Sequence, residues 1–297
     1  MELLDQYLGY LAHEQNRSEH TVQAYRDDVY SYLEHCREQV GEDYSPSSGD
    51  LDLLRRWLGD MMSSGHKASS VARRLAAVKG FYKYLLRIGV LDRNPIANLK
   101  APRGEKPLPV YVPTVEIERI LEELPREDEY SYQLQYLVIA TLYECGLRRS
   151  ELAGLRDRDV DLRQRQLKVL GKGDKERIIP FGTGLAERMA EWRRLRDERF
   201  GSSEVFFLSL SGKPMNGAEV YEIVHRLLAT VPNLARRGAH ALRHSFATDM
   251  LNGGADLVAI KELMGHSQVS TTVKYTHTSF RQLQQMYNAH PRAKKKS

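Results

Sequence analysis

The side chains of this chain that could do chemistry are concentrated between His240 and Tyr275. Five of them are cationic or nucleophilic: His240, Arg243, His244, His266 and Tyr275. A tyrosine hydroxyl has a reference pKa of about 10, so it becomes a useful nucleophile only beside strong positive charge. Because few carboxylates lie nearby to act as a base or to hold a metal, the pattern points to an anionic electrophile, most simply a phosphate.

Two more cationic candidates come from far upstream. Arg148 follows an apolar run that Gly146 ends, and a corner between two helices is a rigid place from which to present a guanidinium. Lys172 lies between Gly171 and Gly173, at the tip of a predicted hairpin. Each has an ordinary alternative, since such an arginine often forms a structural ion pair and such a tip is often only a turn. The tip is no phosphate-binding P-loop, because the GxxxxGK[ST] spacing is missing.

His240 and His244 are one helical turn apart, a spacing that also occurs in zinc sites. Here no glutamate adjoins them as in H-E-x-x-H, Arg243 would repel a cation, and clustered cysteine ligands are lacking. A serine hydrolase is equally unsupported, because the chain has no G-x-S-x-G motif. We therefore predict no metal and no other cofactor.

The elements that must position these groups are mostly helical. One helix is expected from about Thr114, whose side chain could cap it, and apolar spacing predicts another over 134–145. Residues 147–151 turn into a short new helix, whereas 160–181 show strand periodicity and predict two short strands around a turn. Beyond them the chain is predicted to be helical to about Ala289. Breaks are expected at Gly201, Pro232, Gly253–Gly254 and Gly265.

The N-terminal part of the chain predicts four helices. Two lie within residues 1–40, the second capped by Ser18 or Thr21, and a loop-forming stretch separates them from a third over 51–65. A fourth covers 69–89, and its apolar face is expected to enter a core. That face consists of Val71, Leu75, Val78, Tyr82, Leu85 and Leu86.

Basic residues line another face of this fourth helix. They are Arg73, Arg74, Lys79, Lys83 and Arg87. Charge is also unevenly distributed, because residues 1–52 hold three basic and twelve acidic residues, whereas 53–106 hold twelve basic and three acidic ones. The face is either a solvated surface or a DNA-contacting one. The stripe of basic residues alone favours a solvated surface. The uneven distribution of charge between residues 1–52 and 53–106 shifts the balance towards a DNA-contacting surface.

Composition sets the remaining limits. The 297 residues are enough for two domains, and the net charge of +5 leans towards a polyanionic partner. Four prolines between Lys100 and Pro113 predict an extended linker at the domain boundary. No apolar run approaches the roughly 18 residues of a membrane span, and the N-terminus carries acids where a signal peptide would carry bases. With only Cys36 and Cys145 as cysteines, the chain is expected in the cytoplasm, away from membranes.

Five stretches, taken in order, closely resemble the tyrosine recombinases, also called phage integrases, and among them the bacterial Xer-type enzymes. They are CGLRRSEL around Arg148, GKGDKER around Lys172, HALRHSFAT around His240 and Arg243, LMGHS around His266, and TTVKYTH around Tyr275. The resemblance extends through the N-terminal half and the linker. It departs at Arg149, a position that is more often small or apolar in the family, and at Asp249, where Xer-type sequences usually have histidine.

The resemblance implies a role for each matched position. Tyr275 would attack a DNA phosphodiester, forming a 3′-phosphotyrosyl link and releasing a 5′-hydroxyl. Arg148 and Arg243 would hold the non-bridging oxygens. Lys172 would protonate the leaving oxygen as the general acid.

Three further positions would support this reaction. His240 would assist proton transfer at the nucleophile, His266 would add a hydrogen bond to the transition state, and Glu151 would orient the basic groups. Two arginines, two histidines and a lysine can neutralise the transition state, so neither a metal nor ATP is required.

The architecture that the resemblance implies is mainly α. A helical, SAM-like, four-helix DNA-binding domain would precede a mostly helical catalytic domain with a small antiparallel β-sheet or hairpin. The expected boundaries are 1–100 for the N-terminal domain, 101–113 for the linker, 114–290 for the catalytic domain and 291–297 for a basic mobile tail.

The implied activity is site-specific recombination of double-stranded DNA through a Holliday junction, in chromosome-dimer resolution or in the integration and excision of a mobile element. A homotetramer on DNA, or a heterotetramer with a related recombinase, would perform it. The helix expected over 279–290 either joins the core or, as the family favours, packs on a neighbouring protomer. Two alternatives are a type IB topoisomerase and a non-catalytic architectural DNA-binding protein. The N-terminal domain argues against the first, and the retained catalytic positions argue against the second.

Overall fold

The computed structural model describes residues 2–46, 51–102, 110–171, 176–265, 287 and 290–293. Over these residues the chain forms eleven α-helices and one three-stranded sheet. The chain divides into two units, Met1–Pro107 and Leu108–Ser297, and each unit has a hydrophobic core of its own. The fold is mainly α, as the sequence predicts.

The first unit has four α-helices among its described residues. They are α1 (Glu2–Gly9), α2 (Glu19–Val40), α3 (Leu51–Ser63) and α4 (Ala68–Arg87), with a π-helical turn (Tyr10–Glu14) directly after α1. Ser18 caps α2, because its hydroxyl accepts a hydrogen bond from the Thr21 backbone N–H at 3.4 Å. The four helices predicted for this part of the chain are present.

Aliphatic side chains and several aromatic rings form the core of the first unit. Tyr32 and Tyr82 are fully buried, and their hydroxyls lie 3.2 Å apart, so each buried phenol has a polar partner. The predicted apolar face of α4 is buried except at Leu86, which is 39% exposed, and Phe81 is buried in addition. Leu86 lies beside the face of α4 that points towards the core, rather than within it.

The second unit has seven α-helices among its described residues. They are α5 (Thr114–Glu122), α6 (Glu129–Cys145), α7 (Arg149–Ala153), α8 (Thr183–Phe200), α9 (Gly217–Leu228), α10 (Ala239–Asn252) and α11 (Leu257–Met264). The breaks predicted from glycine and proline all fall between these elements. The prediction of helix around them is wrong for residues 201–216 and 229–238, which are non-helical over longer stretches than single breaks. Within the described ranges, no helix has the length and apolarity of a membrane span.

Helix α6 is the central element of the second unit. Its residues 137–145 are all buried, and α8, α9 and α10 pack against it. The helix begins at Glu129, five residues before the predicted start at Leu134. The Asp128 carboxylate caps it by accepting from the Ser131 backbone N–H at 3.1 Å, which extends the helix beyond its apolar stretch.

The sheet is antiparallel and ordered along the chain as β1 (Val160–Asp161), β2 (Gln166–Leu170) and β3 (Glu176–Pro180). Only two strands were expected, because the two residues of β1 are too few to show an alternating pattern. Strands β2 and β3 pair with Leu167 opposite Ile179 and Val169 opposite Arg177. This register fixes the position of Arg177 in the site described below.

The start of α5 differs from the prediction. Thr114 is the first helical residue rather than the cap, and Pro113 holds the capping position without a side-chain hydrogen bond. The Thr114 hydroxyl instead lies 2.9 Å from the Tyr143 hydroxyl and donates to Asp249 at 3.3 Å. Tertiary partners therefore win over the local cap.

Candidate active site

A left-handed turn at the end of α6 presents Arg148. Gly146 ends the helix with φ 59° and ψ 32°, a conformation that favours glycine, and a side chain there would run into the buried Phe246 ring. Arg148 then caps α7. Its backbone N–H donates to Glu151 Oε2 at 2.8 Å, and its Nη1 donates to Oε1 at 2.7 Å. The corner predicted from the sequence thus holds an Arg148–Glu151 pair.

Arg243 approaches the same carboxylate from α10. Its side chain is 5% exposed, its Nη1 lies 3.9 Å from Glu151, and its guanidinium donates to the carbonyl oxygens of Gly146, at 2.5 Å, and Met264. Burial, reinforced by the charge of Arg148, lowers the pKa of Arg243 to about 10, so it stays protonated at neutral pH. Two arginines from distant parts of the sequence therefore share one carboxylate.

Sequence reasoning missed a third arginine at this place, Arg177 on β3. Its Nη1 and Nη2 donate to the two oxygens of Glu151 at 2.9 and 2.8 Å, and its Nε donates to the Leu263 carbonyl oxygen at 2.8 Å. Its side chain is 10% exposed. Arg177 lies within the GKGDKER stretch, directly before the apolar end of β3, and an arginine entering a core needs a charged partner. That signal was available, although it does not identify the partner.

The C-terminal end of α11 provides backbone acceptors for all three arginines. Three consecutive carbonyl oxygens each accept from one guanidinium: Leu263 from Arg177, Met264 from Arg243, and Gly265 from Arg148. The last carbonyls of a helix have no partner within it and carry partial negative charge, so cations are stabilised there. These bonds attach α7, β3 and α10 to the end of α11, immediately before His266 in the chain.

The four charged side chains Arg148, Glu151, Arg177 and Arg243 are called the Glu151 cluster below. Three positive charges face one negative charge, which leaves a net charge of +2. Burial would raise the pKa of Glu151, but bonds from Arg177 and from the Arg148 backbone and side chain outweigh it and lower the pKa to about 2. Arg148 is 37% exposed, so its guanidinium is accessible to an anion.

His240 lies in the first turn of α10, three residues before Arg243, and is exposed. Burial of part of its ring lowers the pKa of His240, and the positive charge of Arg243 adds to the effect. The imidazole is therefore neutral at pH 7 and able to accept a proton. His244 is half-buried, and its Nδ1 lies 3.3 Å from the Thr248 hydroxyl, which gives it a structural partner.

Three predicted site residues lie outside the described residues: Lys172, His266 and Tyr275. The described positions that flank them in sequence are Gly171, Glu176 and Gly265. In the part of the chain that the structure describes, no group of three or more His, Cys, Asp or Glu side chains could hold a metal ion. The roles of the three outlying residues stay predictions.

In the first unit, Arg73 and Arg74 share a buried carboxylate. Both terminal nitrogens of Arg73, Nη1 and Nη2, donate to the Asp28 carboxylate, Nη2 at 2.9 Å. Arg74 Nε lies 3.7 Å from the same carboxylate. Asp28 is 4% exposed, and this burial raises its pKa despite the two arginines. These arginines join α2 to α4, a structural contact that the stripe pattern did not reveal.

The other members of the basic face are Lys79, Lys83 and Arg87. Lys79 donates to the Ala97 carbonyl oxygen at 2.9 Å, and Arg87 donates to Glu14 at 3.1 Å. Lys83 is exposed. Exposed ion pairs are weak, so Arg87 can exchange its partner for a phosphate at little cost. DNA contact by this face stays a prediction.

Arg292 is bound, although the sequence assigns it to a mobile tail. Its Nε donates to Glu144 at 2.7 Å, and its Nη2 donates to the Tyr136 hydroxyl at 2.9 Å. Tyr287 is fully buried in the same core, and His290 stacks on its ring at 5.7 Å between centroids. The buried carboxylate of Glu144 needs a cation, which explains why Arg292 is held against this core.

Asp249, the residue that departs from the Xer-type pattern, accepts three hydrogen bonds. The Tyr143 hydroxyl donates at 2.6 Å, the Tyr111 hydroxyl at 2.8 Å and the Thr114 hydroxyl at 3.3 Å. These bonds hold the segment before α5 on α10, the helix of His240 and Arg243. The substitution therefore has a structural use outside the Glu151 cluster.

Comparison with known proteins decides the family. Residues 111–282 match the model of the phage integrase family, and residues 4–89 match the model of the N-terminal SAM-like domain of phage integrases. The first match alone spans more than half of the chain. The chain belongs to the phage integrase family.

Curated relatives within this family carry a more specific name. Tyrosine recombinase XerC of Chlorobaculum tepidum is 37% identical over 317 residues, which cover 98% of this chain and 94% of the relative. Tyrosine recombinase XerC of Pelobacter propionicus is 37% identical over 297 residues, covering 99% and 97%. The prediction of a tyrosine recombinase of Xer type is confirmed.

Solved recombinase structures share the fold. The Tn1549 transposon integrase, in complex with transposon right end DNA, has a TM-score of 0.72 at 20% identity and covers 96% of this chain and 98% of that chain. The XerH site-specific recombinase, bound to difH substrate before cleavage, has a TM-score of 0.68 at 22% identity, covering 95% and 83%. The predicted arrangement of a SAM-like helical domain and a mostly helical catalytic domain is confirmed.

Proposed function

We propose that this tyrosine recombinase performs site-specific recombination, cleaving and rejoining double-stranded DNA through a 3′-phosphotyrosyl link at Tyr275. The observation that carries the proposal is the net charge of +2 in the Glu151 cluster. A phosphodiester carries one negative charge, and the five-coordinate state formed by attack gathers a second. Preorganised positive charge of this size complements that state.

In the proposed cleavage step, the Tyr275 oxygen attacks phosphorus while the bond from phosphorus to the 5′ oxygen breaks. His240, neutral because its pKa is lowered, accepts the tyrosine proton. Lys172 donates a proton to the departing 5′ oxygen. Arg148 and Arg243 bind the non-bridging oxygens. The products are a 3′-phosphotyrosyl link and a 5′-hydroxyl, so protons and charge balance.

Rejoining reverses these steps with a 5′-hydroxyl from the partner strand. The phosphotyrosyl link retains the energy of the broken bond, so ATP is not required. His266 would donate a hydrogen bond to the same oxygens in both directions, and Glu151 would hold the arginines in place. The positive side chains supply the charge that Mg²⁺ supplies in metal-dependent phosphoryl transfer.

DNA binding would use both parts of the chain. Residues 1–100 would form the DNA-binding domain, with Lys83 and Arg87 on its basic face, and 114–290 the catalytic domain. Four copies, or two copies with two of a related recombinase, would assemble on two sites and exchange strands through a Holliday junction. The outcome would be chromosome-dimer resolution or movement of a mobile element, and the reaction would take place in the cytoplasm.

A trapped covalent adduct tests the proposal. The recognition site is first recovered by sequencing the DNA that is covalently attached to the protein in cells. A duplex of that site is then made with a nick beside the cleavage position. Cleavage releases the short segment between the two breaks, which carries the new 5′-hydroxyl, and its loss prevents rejoining. Wild-type protein should accumulate the adduct in EDTA and without ATP. An adduct that still forms with Tyr275→Phe, or none with wild type, would contradict the proposal.

A supercoiled plasmid separates recombination from topoisomerase activity, which shares the same cleavage chemistry. Plasmids with two recovered sites, one site or none are compared. Recombination predicts exchanged products only from the plasmid with two sites. Relaxation of all three plasmids without exchange would favour a topoisomerase instead.

A further inference from the structure

We propose that Arg177 is a positioning residue, whose two-pronged bond to Glu151 offsets the charge of that carboxylate, so that Glu151 neutralises less of the charge on the arginines that hold the DNA phosphate, Arg148 and Arg243. The inference rests on the proposed function and deepens it. It assigns a task to a residue that would not itself contact DNA.

The bonding of Arg177 occupies both oxygens of the carboxylate at once. Its two terminal nitrogens lie 2.9 and 2.8 Å from the two oxygens of Glu151, the parallel arrangement in which a guanidinium binds a carboxylate most strongly. Arg243 lies 3.9 Å from the same group, beyond hydrogen-bond distance, and its donors turn to backbone carbonyls instead. Arg177 thus binds Glu151 more closely than Arg243 does.

The net charge of the cluster depends on the presence of Arg177. With Arg177, three arginines face one carboxylate and the net charge is +2; without it, the net charge falls to +1. The side chain of Glu151 is 6% exposed, and a buried carboxylate that loses a partner recruits whatever cation is near. Arg148 already donates to Glu151 at 2.7 Å, and Arg243 lies 3.9 Å from it. Without Arg177, the donors of Arg243 would turn towards Glu151 and Arg148 would be held there more tightly, so both would be less available to an incoming phosphate.

Arg177 also connects two elements that lead to predicted catalytic residues. It stands on β3, the strand that follows Lys172 in the chain, and its Nε binds the Leu263 carbonyl near the end of α11, which precedes His266. The packing is close, because a Cβ on Gly265 would lie 3.3 Å from Arg177 Nη1. A substitution of Arg177 therefore alters charge and position together, and a test must separate the two.

Charge-balanced variants separate them. Arg177→Gln lowers the cluster charge to +1, and the double variant Arg177→Gln with Glu151→Gln returns it to +2 while removing both partners. We expect Arg177→Gln to slow adduct formation at saturating DNA by about tenfold to a hundredfold, the usual scale for losing a supporting partner behind a functional group. The double variant should recover about tenfold of that loss. A purely structural role predicts a double variant no faster than Arg177→Gln.

Arg193→Gln is the matched control. Arg193 lies in the same unit, binds Asp157 at 3.1 Å and two carbonyl oxygens at 3.2 Å, and is 29% exposed. The Arg193→Gln substitution therefore removes an arginine with a similar set of partners, but outside the Glu151 cluster. We expect adduct formation by this variant within about twofold of wild type after normalising to folded protein. Thermal unfolding of every variant measures the folded fraction.

Inorganic phosphate provides a second measurement that does not depend on DNA cleavage. The unfolding midpoint is compared in phosphate and in chloride at equal ionic strength. Phosphate should raise the unfolding midpoint of wild type and of the double variant more than that of Arg177→Gln, because a ligand stabilises the state that binds it. An equal gain in all three proteins would overturn the inference.

The two measurements distinguish failure of the inference from failure of the proposed function. If wild type forms the Tyr275 adduct but Arg177→Gln is not slower, or the double variant does not recover, the Arg177 assignment is wrong and the recombinase mechanism stands. If wild type forms no adduct while the phosphate gain follows the cluster charge, the mechanism is wrong and the Arg177 assignment stands.

Discussion

Two arginine clusters of the second unit are built alike but differ in net charge. Around Asp157, Arg193 and Arg196 of α8 bind one carboxylate at 3.1 and 2.8 Å. Arg196 also donates to the carbonyl oxygens of Val205 and Phe206, both at 3.2 Å. Shared arginines, one acidic residue and backbone carbonyls therefore occur here just as they do around Glu151.

The clusters differ in net charge. Arg196 also pairs with Asp197 at 2.6 Å, so two arginines face two carboxylates and the charges of the Asp157 cluster cancel. Each cluster has one partly exposed arginine, Arg193 at 29% and Arg148 at 37%, so net charge rather than exposure separates them. Arginines bonded to carbonyls are thus a structural device in themselves. An excess of positive charge is what distinguishes the Glu151 cluster, and the proposed mechanism uses that excess to bind the DNA phosphate.

The largest expected effect compares one arginine from each cluster. Arg243→Gln should slow adduct formation by about 10²–10³, the loss typical of a preorganised donor to developing charge. Arg193→Gln should leave the rate within about twofold of wild type. Single-turnover cleavage at saturating DNA measures both. Similar losses in the two variants would show that cluster charge is not what matters.

Two helix-ending glycines extend the comparison to the backbone. Gly146 precedes the Arg148 corner, and Gly201 ends α8, which carries the Asp157 cluster; both have positive φ, but only Gly146 faces a ring, that of Phe246. Gly146→Ala should lose about 2–5 kcal/mol from backbone strain and overpacking together, and Gly201→Ala about 1–3 kcal/mol from strain alone.

Denaturant unfolding measures these losses, and cleavage by the folded fraction completes the test. Gly146→Ala should also slow cleavage, because it displaces Arg148, whereas Gly201→Ala should not. A Gly146→Ala protein that is stable and fully active would contradict the account of the corner.

His290 tests a buried group held neutral rather than charged. Burial, reinforced by Arg292, lowers the pKa of His290 to about 3 from 6.5, so protonation favours the unfolded chain. Stability is complete above pH 6.5 and falls as the pH drops towards 3. At pH 5 the loss should be about 2 kcal/mol. His290→Phe should lack this component, and equal acid sensitivity in both proteins would be the contrary result.

Glu151 should show a weaker pH dependence of the same sign at lower pH. Its folded pKa of about 2 lies below the ordinary 4.5, so its stabilisation is complete above pH 4.5 and is lost as the pH falls from 4.5 to 2. At pH 3.5 the loss should be about 1.4 kcal/mol. Glu151→Gln should unfold less steeply across this window, whereas parallel acid curves would argue against an ionised, arginine-bound Glu151.

Local chemistry made most helix ends predictable from sequence. The Ser18 cap and the break at Gly146 follow from side-chain hydrogen bonding and from left-handed backbone, which act within a few residues. Strand β1 and the first turn of α6 were missed. The first is too short for a pattern, and the second depends on the Asp128 cap rather than on apolar spacing.

Site residues were predictable from sequence only where a residue and its immediate neighbours indicate the chemistry. Arg148 and Arg243 were found through the stretches around them, and the structure brings both to Glu151. Arg177 was missed because its task depends on a glutamate 26 positions away and on the carbonyl of Leu263, and periodicity records neither. The pairing of Arg73 with Asp28 escaped for the same reason, since a stripe of charge does not say what faces it.

The central claim is that the excess charge of the Glu151 cluster serves attack by Tyr275 on DNA. The most direct measurement isolates the covalent protein–DNA adduct from wild-type protein, digests it with protease and nuclease, and identifies the modified peptide by mass spectrometry. We predict a nucleotide joined through its 3′ phosphate to Tyr275 and a free 5′-hydroxyl on the opposite side of the break. A link to another residue, or to a 5′ phosphate, would contradict the claim.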